Sequence, residues 1–265
     1  MLLVIDAGNT QTVVGLYEMA EDPPRPDRRP EDGLLDHWRI ATIHDRTSDE
    51  LAVMLQGLLG FRDYSLDDVD GIAVSSGVPR VTANLRDLAA RYLDFAPVVI
   101  EPGVRTGIAI LYENPKEVGA DRIANAVGAF DLYGGPTIIV DFGTATTCDA
   151  VSANGEYLGG AIAPGIEISM DALVGRASAL RAVELVEPRN VLGKSTVESI
   201  QSGAVYGFAA QVDGLCDRIQ EELGACTVLS TGGLADLITP LSRCVQHTEP
   251  WLTLHGLRLV HEKNS

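Results

Sequence analysis

The chain has 265 residues, enough for one large or two medium domains with complete cores. Hydrophobic residues make up 46% of it and aromatics 5%, an ordinary α/β composition. A net charge of −17 argues against nucleic acid as a main partner, because phosphate backbones need a surplus of Lys and Arg, yet a single nucleotide can still be held by a few amides and a metal.

Met1 to Ile5 carries no basic segment before Asp6, so no signal peptide is expected, and no apolar run approaches the ~20 residues of a membrane span. Strands are expected at about 2–6 and 12–18. Residues 20–33 hold four prolines and many charges without apolar periodicity, and read as an exposed, mobile hairpin loop with no chemical role. A strand resumes at 34–40, and Ser48-Asp49-Glu50 opens a helix with Leu51, Met54, Leu55 and Leu58 at helical spacing. A buried strand at 69–75, an amphipathic helix at 80–93 and a short strand at 97–100 follow. The turn-rich stretch from Pro102 to Pro115 reads as a connector.

The second half opens with a helix at about 118–132 and strands at 137–141, 146–152 and 157–163. A helix then starts after Pro164-Gly165, a long one runs over 195–223 with Ser195 as N-cap, and a strand covers 227–230. A helix at 234–241, a strand near 244–247 and a last helix at 252–262 complete the chain. Paired meanders followed by helices predict two duplicated ribonuclease H-like α/β lobes rather than a parallel Rossmann sheet. The expected division is 1–115 and 116–265, with the last helix free to pack on the first lobe.

One phrase occurs twice. Leu2-Leu3-Val4-Ile5 leads into Asp6-Ala7-Gly8-Asn9-Thr10, and Thr137-Ile138-Ile139-Val140 leads into Asp141-Phe142-Gly143-Thr144-Ala145. The two Asp residues are 141 − 6 = 135 apart, close to half the chain. A single copy would be an ordinary hairpin turn, since Asp, Gly and Asn are common there. Two copies at half-length spacing suggest a phosphate clamp: Gly8 lets amides converge on an anion, Asn9 and Thr10 add donors, and Asp6 can hold a metal or its waters.

Thr231-Gly232-Gly233, between a strand and a helix, would let a base or ribose lie against the backbone, although a plain strand-to-helix turn has the same composition. Gly193-Lys194-Ser195 resembles the tail of a Walker loop but lacks its upstream glycine and strand. In Gly119-Ala120-Asp121-Arg122, Asp121 either just complements a helix dipole or acts as a base toward a substrate hydroxyl, with Arg122 holding an anion. Cys148, Cys216, Cys226 and Cys244 show no CxxC spacing, which suggests buried thiols in a reducing cytoplasm. His37, His44, His247, His255 and His261 form no metal or triad spacing and are read as structural.

The joint order of these blocks resembles the type III pantothenate kinase family over nearly the whole chain. The match runs through both Asp-x-Gly turns, Pro102 to Gly107, Tyr112 to Arg122, Gly159 to Gly165, Gly193 to Thr196, Thr231 to Ala235 and Leu252 to Leu257. Arg181, where the family more often has proline, and the long 20–33 stretch depart from it without touching the motifs. The resemblance implies the actin-like ATPase fold with an interlobe active-site cleft, and ATP-dependent phosphorylation of pantothenate, the first step of coenzyme A synthesis. It implies Asp121 as general base and Tyr112, Gly119, Ala120, Arg122 and Thr196 as substrate residues, Thr196 reaching the partner subunit's pocket in a homodimer. It further implies Asp6, Gly8, Asn9, Thr10, Gly143, Thr144, Thr231, Gly232 and Gly233 around ATP. Asp6 and Asp141 would serve Mg²⁺, with K⁺ or NH₄⁺ as a monovalent cation. Two rivals remain: another small-molecule kinase of the superfamily, and an inactive regulatory member of the fold.

Overall fold

The computed structural model describes residues 1–19, 28–177 and 180–265. The chain divides into two compact units, Met1–Leu132 with Trp251–Ser265, and Tyr133–Pro250.

In the first unit, β1 (Leu2–Ala7) pairs antiparallel with β2 (Gln11–Tyr17), which pairs antiparallel with β3 (Leu34–Ala41). On its other side β1 pairs in parallel with β4 (Gly71–Ser76), and β4 with β5 (Val98–Val99). β1 is buried on both faces, which explains its unbroken apolar run. Leu3, Ile5 and Ala7 face the core shared with α1 (Ser48–Gly60) and α2 (Pro79–Tyr92), through Leu51, Leu55, Leu59, Val81, Leu85 and Leu88. The opposite face takes α7 (Leu252–Glu262), which packs on β1 and β4. Gly15 makes room there: a Cβ would lie 2.8 Å from Leu254 Cδ1 and 2.9 Å from Val4 Cγ2. The short β6 (Ala109–Ile110) and α3 (Ala120–Tyr133) follow in sequence.

The second unit repeats the plan. β7 (Thr137–Phe142) pairs antiparallel with β8 (Ala145–Val151), and β8 with β9 (Glu156–Pro164). On the other side β7 pairs in parallel with β10 (Thr227–Thr231), and β10 with β11 (His247–Thr248). The orders β3-β2-β1-β4-β5 and β9-β8-β7-β10-β11 correspond strand for strand. α4 (Ile166–Arg176) and α5 (Thr196–Leu223) follow β9, and α5 buries Val205, Ala209, Val212 and Cys216 against Ile138, Val140 and Phe142 of β7. The mixed α/β class and the duplicated meanders are as expected from the sequence.

Several local boundaries differ for physical reasons. The N-cap of α1 is Thr47, not Ser48: Thr47 Oγ1 accepts from Glu50 N–H while the Glu50 carboxylate accepts from Thr47 N–H, a capping box. The helix expected over 234–241 is α6 (Ala235–Ile238) followed by a 3₁₀ turn at Thr239–Leu241, where Pro240 cannot continue an α-helical ladder. β11 begins only at His247, because the preceding segment is tied to the buried Asp213, whose carboxylate accepts from Ser242 Oγ and from the N–H groups of Arg243 and Cys244.

The 20–33 stretch is in part a correction. Residues 20–27 lie outside the described residues, but Arg28–Gly33 is docked rather than loosely exposed. Tyr17 donates its hydroxyl to Pro30 O at 2.8 Å, and Pro30 is buried. From α7, Arg258 donates to the carbonyls of Arg29 and Asp32 and lies over the Tyr17 ring. Arg28 pairs with Glu262 at 2.7 Å. Cys148, Cys216 and Cys226 are buried free thiols and Cys244 is half-buried. Among the described residues no helix is long and apolar enough to cross a membrane.

Candidate active site

Asp6 is half-buried one residue before the end of β1. Gly8 N–H donates to Gln11 O at 3.0 Å and closes the turn, leaving Asn9 and Thr10 exposed at its tip. Gly8 has little room for a side chain, since a Cβ would meet Gln11 O at 3.1 Å. Two residues that sequence reading left aside join here. Thr42 and His44, from the segment between β3 and α1, bond to the carbonyls of Thr10 and Asn9. Their involvement follows from the β2–β3 register, in which Gln11 opposes Ala41, a pairing no local motif announces.

In the same unit Asp121 is the second residue of α3, with an exposed side chain. Its Oδ1 accepts from Arg122 N–H at 2.8 Å, so the carboxylate folds back over the helix start and keeps its orientation. Gly119 faces that oxygen closely enough that a Cβ there would collide with it. Arg122 is buried at 7% exposure, and Asn125, one turn on, is fully buried and accepts from Thr253 Oγ1 at 2.7 Å. A buried guanidinium beside an exposed carboxylate can hold an anionic group while the carboxylate takes a proton. Tyr112 is half-buried shortly before a 3₁₀ turn at Pro115–Glu117 that is capped by Asn114.

The second unit brings three segments together. Asp141 occupies the position in β7 that Asp6 has in β1, and it pairs in parallel register with Thr231. Gly143 N–H donates to Ala145 O at 3.1 Å, and Gly165 N–H to Thr144 O at 3.1 Å. A Cβ at Gly165 would lie 2.6 Å from Gly143 O. Gly232 has φ +95° and stands against Asp141 and the Phe142 backbone. Gly143, Thr144, Gly165 and Gly232 therefore meet backbone to backbone around Asp141, with Gly143, Thr144 and Gly233 exposed and Thr231 buried. In sequence Gly165 marks the break after β9 and closes the Gly159 to Gly165 block; the close approach shows why glycine is needed there.

Thr196 lies apart from this group, at the first position of α5, where Ser195 accepts from Glu198 N–H. It lines an open groove with Met170, Leu173, Lys194, Ala204 and Phe208.

Among the described residues no three His, Cys, Asp or Glu side chains form a cage for a metal. Single carboxylates such as Asp6 and Asp141 suit an ion of another kind, a Mg²⁺ that keeps its waters and rides on phosphates.

Comparison with known proteins shows the family and the fold. A family model described as type III pantothenate kinase matches residues 2–218. The type III pantothenate kinase of Streptomyces coelicolor is 54% identical over 273 residues, covering 100% of this chain and 98% of that protein. Among solved structures, a protein described as a Baf family transcriptional activator from Campylobacter jejuni aligns with TM-score 0.60 at 17% identity, over 99% of this chain and 98% of that one. An inorganic polyphosphate/ATP-glucomannokinase from an Arthrobacter species aligns with TM-score 0.51 at 15% identity, over 99% and 98%. At such identities the structural likeness speaks for the fold alone, an actin-like ATPase architecture.

Proposed function

The chain belongs to the type III pantothenate kinase family, and from that premise we propose how its own residues divide the work of phosphorylating pantothenate with ATP, the first step of coenzyme A synthesis. Asp121 is the general base: it orients the primary hydroxyl of pantothenate and takes its proton as the oxygen attacks the γ-phosphorus. The observation that carries this is the fixed carboxylate of Asp121, held by Arg122 N–H beside a side-chain-free Gly119 and a buried Arg122 guanidinium. Arg122 holds the pantothenate carboxylate, with Tyr112, Gly119 and Ala120 shaping the same pocket.

The turn of Gly8, Asn9 and Thr10 and the turn of Gly143 and Thr144 contact the ATP phosphates, while Thr231, Gly232 and Gly233 give the nucleoside a close backbone approach. Asp6 and Asp141 would hold a divalent cation brought with ATP, or the waters of that cation, which would neutralise phosphate charge there. A monovalent cation, K⁺ or NH₄⁺, completes the requirement. Because phosphoryl transfer passes through a loose transition state, positioning by these turns matters more than the strength of the base.

The active form is a homodimer in which Thr196 reaches the pantothenate pocket of the other copy. Exposed apolar side chains beside Thr196 support this: Leu192 is 84% and Val197 49% exposed. Free thiols fit a reducing, cytoplasmic location.

The test is ADP release from ATP with pantothenate, acetate or hexoses as acceptor, with and without K⁺. Turnover confined to pantothenate and dependent on K⁺ or NH₄⁺ supports the assignment. Absence of any pantothenate-dependent turnover would move the chain to the inactive regulatory reading.

A further inference from the structure

We propose that His44 is a positioning residue for the ATP phosphates, acting through the backbone of the Asn9–Thr10 turn; the inference rests on the reading of that turn as a phosphate cradle. His44 Nε2 lies 3.1 Å from Asn9 O. A carbonyl only accepts, so Nε2 carries the hydrogen. One residue along, Thr42 N–H donates to Thr10 O at 3.0 Å, and the hydroxyls of Thr42 and Thr12 share a bond at 2.8 Å. Two successive carbonyls of the turn are thus drawn toward the β3–α1 segment. In a trans peptide the N–H points opposite to the C=O, so both contacts turn the N–H groups of Thr10 and Gln11 away from that segment. An anion cradle needs amide directions fixed in advance.

His44 can hold this line because its own segment is anchored. Asn84 Nδ2 of α2 donates to Arg46 O at 2.6 Å, and Arg80 pairs with Asp45 at 2.5 Å. Arg46 reaches Met54 Sδ of α1 at 2.7 Å. The turn is therefore braced from two helices rather than being a hairpin tip supported only by its own strands. The Thr42 contact is a backbone extension of the ladder that any residue would make. The His44 contact is made by a side chain, and only a donor of that reach can replace it.

The decisive comparison is steady-state kinetics of His44→Ala, His44→Gln and an Asn9→Ala/Thr10→Ala double variant, each with its melting temperature. For His44→Ala the KM for ATP should rise roughly 3- to 10-fold, the range of one neutral hydrogen bond, with kcat and the KM for pantothenate nearly unchanged. His44→Gln, which keeps an N–H donor, should recover most of the loss. An unchanged KM for ATP in His44→Ala beside a raised one in the double variant overturns the role of His44 and leaves the cradle standing. An unchanged KM in both removes the cradle reading and the inference with it. A fall in kcat and melting temperature that His44→Gln does not repair overturns the inference in favour of a purely structural contact.

Discussion

Gly232 stands so close to Asp141 that a Cβ on the glycine would lie 2.5 Å from the carboxylate Oδ1. Its φ of +95° excludes an L side chain on conformational grounds as well. The expectation is that Gly232→Ala shifts Asp141 or opens the turn, lowering stability by about 1–3 kcal/mol and abolishing tight ATP binding. Gly214, in the middle of α5 with open space around it, is the control. There Ala should stabilise by about 0.5–1 kcal/mol. Thermal melts with and without ATP check both, and an unaltered nucleotide shift in Gly232→Ala would count against the close approach.

Asp121→Asn keeps the hydrogen bond from Arg122 N–H, because the amide oxygen still accepts, but it cannot take a proton. Turnover should fall on the order of 10²-fold or more while the far-UV spectrum and the quaternary state are unchanged. Turnover near wild type would remove Asp121 from the role of base.

Leu192→Glu places a charge on the most exposed of the large apolar side chains beside Thr196. If this face is the dimer contact, sedimentation should show monomers, and kcat should drop together with that of Thr196→Ala. A Leu192→Glu variant that stays dimeric would locate the contact elsewhere.

His255 sets a pH dependence. Its Nδ1 accepts from Arg258 at 2.6 Å, so the ring is neutral and its Nε2–H faces Asp131 at 2.9 Å. Burial holds the His255 pKa below its ordinary value against the pull of Asp131, with Arg258 and Arg28 acting in the same direction as burial. His261 is likewise lowered by burial, against Glu262. Below about pH 6.5 the unfolded chain binds protons that these folded rings refuse. Stability should therefore be flat above that point and fall below it, read as a melting temperature that declines as the pH is lowered. His255→Gln should shallow the decline; an unchanged slope would show that other groups govern it.

Where the chain carries its own signal, the sequence was readable down to single residues. Val4 and Ile5 before Asp6, and Val140 before Asp141, are both strand and motif, so fold and candidate site were legible together. Ser195 was recognisable as an N-cap because a cap needs only its own side chain and the next turn. The rest depends on partners far along the chain. Nothing between 28 and 33 announces that Arg258 will hold two of its carbonyls, and charge plus proline there look the same as solvated loop. Nor does His44 differ locally from any exposed histidine; only the register of β2 against β3 brings it to Asn9.

α7 covers β1 and β4, the apolar side of a sheet whose first strand begins at Leu2. During vectorial synthesis β1 thus waits for α7, while all of Tyr133–Pro250 emerges in between. Until then the face of that sheet that α7 buries, with Leu2 and Val4 on it, lacks this cover. The interval in which a nascent chain of this kind is most open to chaperones, or to aggregation, is fixed by where α7 lies in the gene rather than by the stability of either unit.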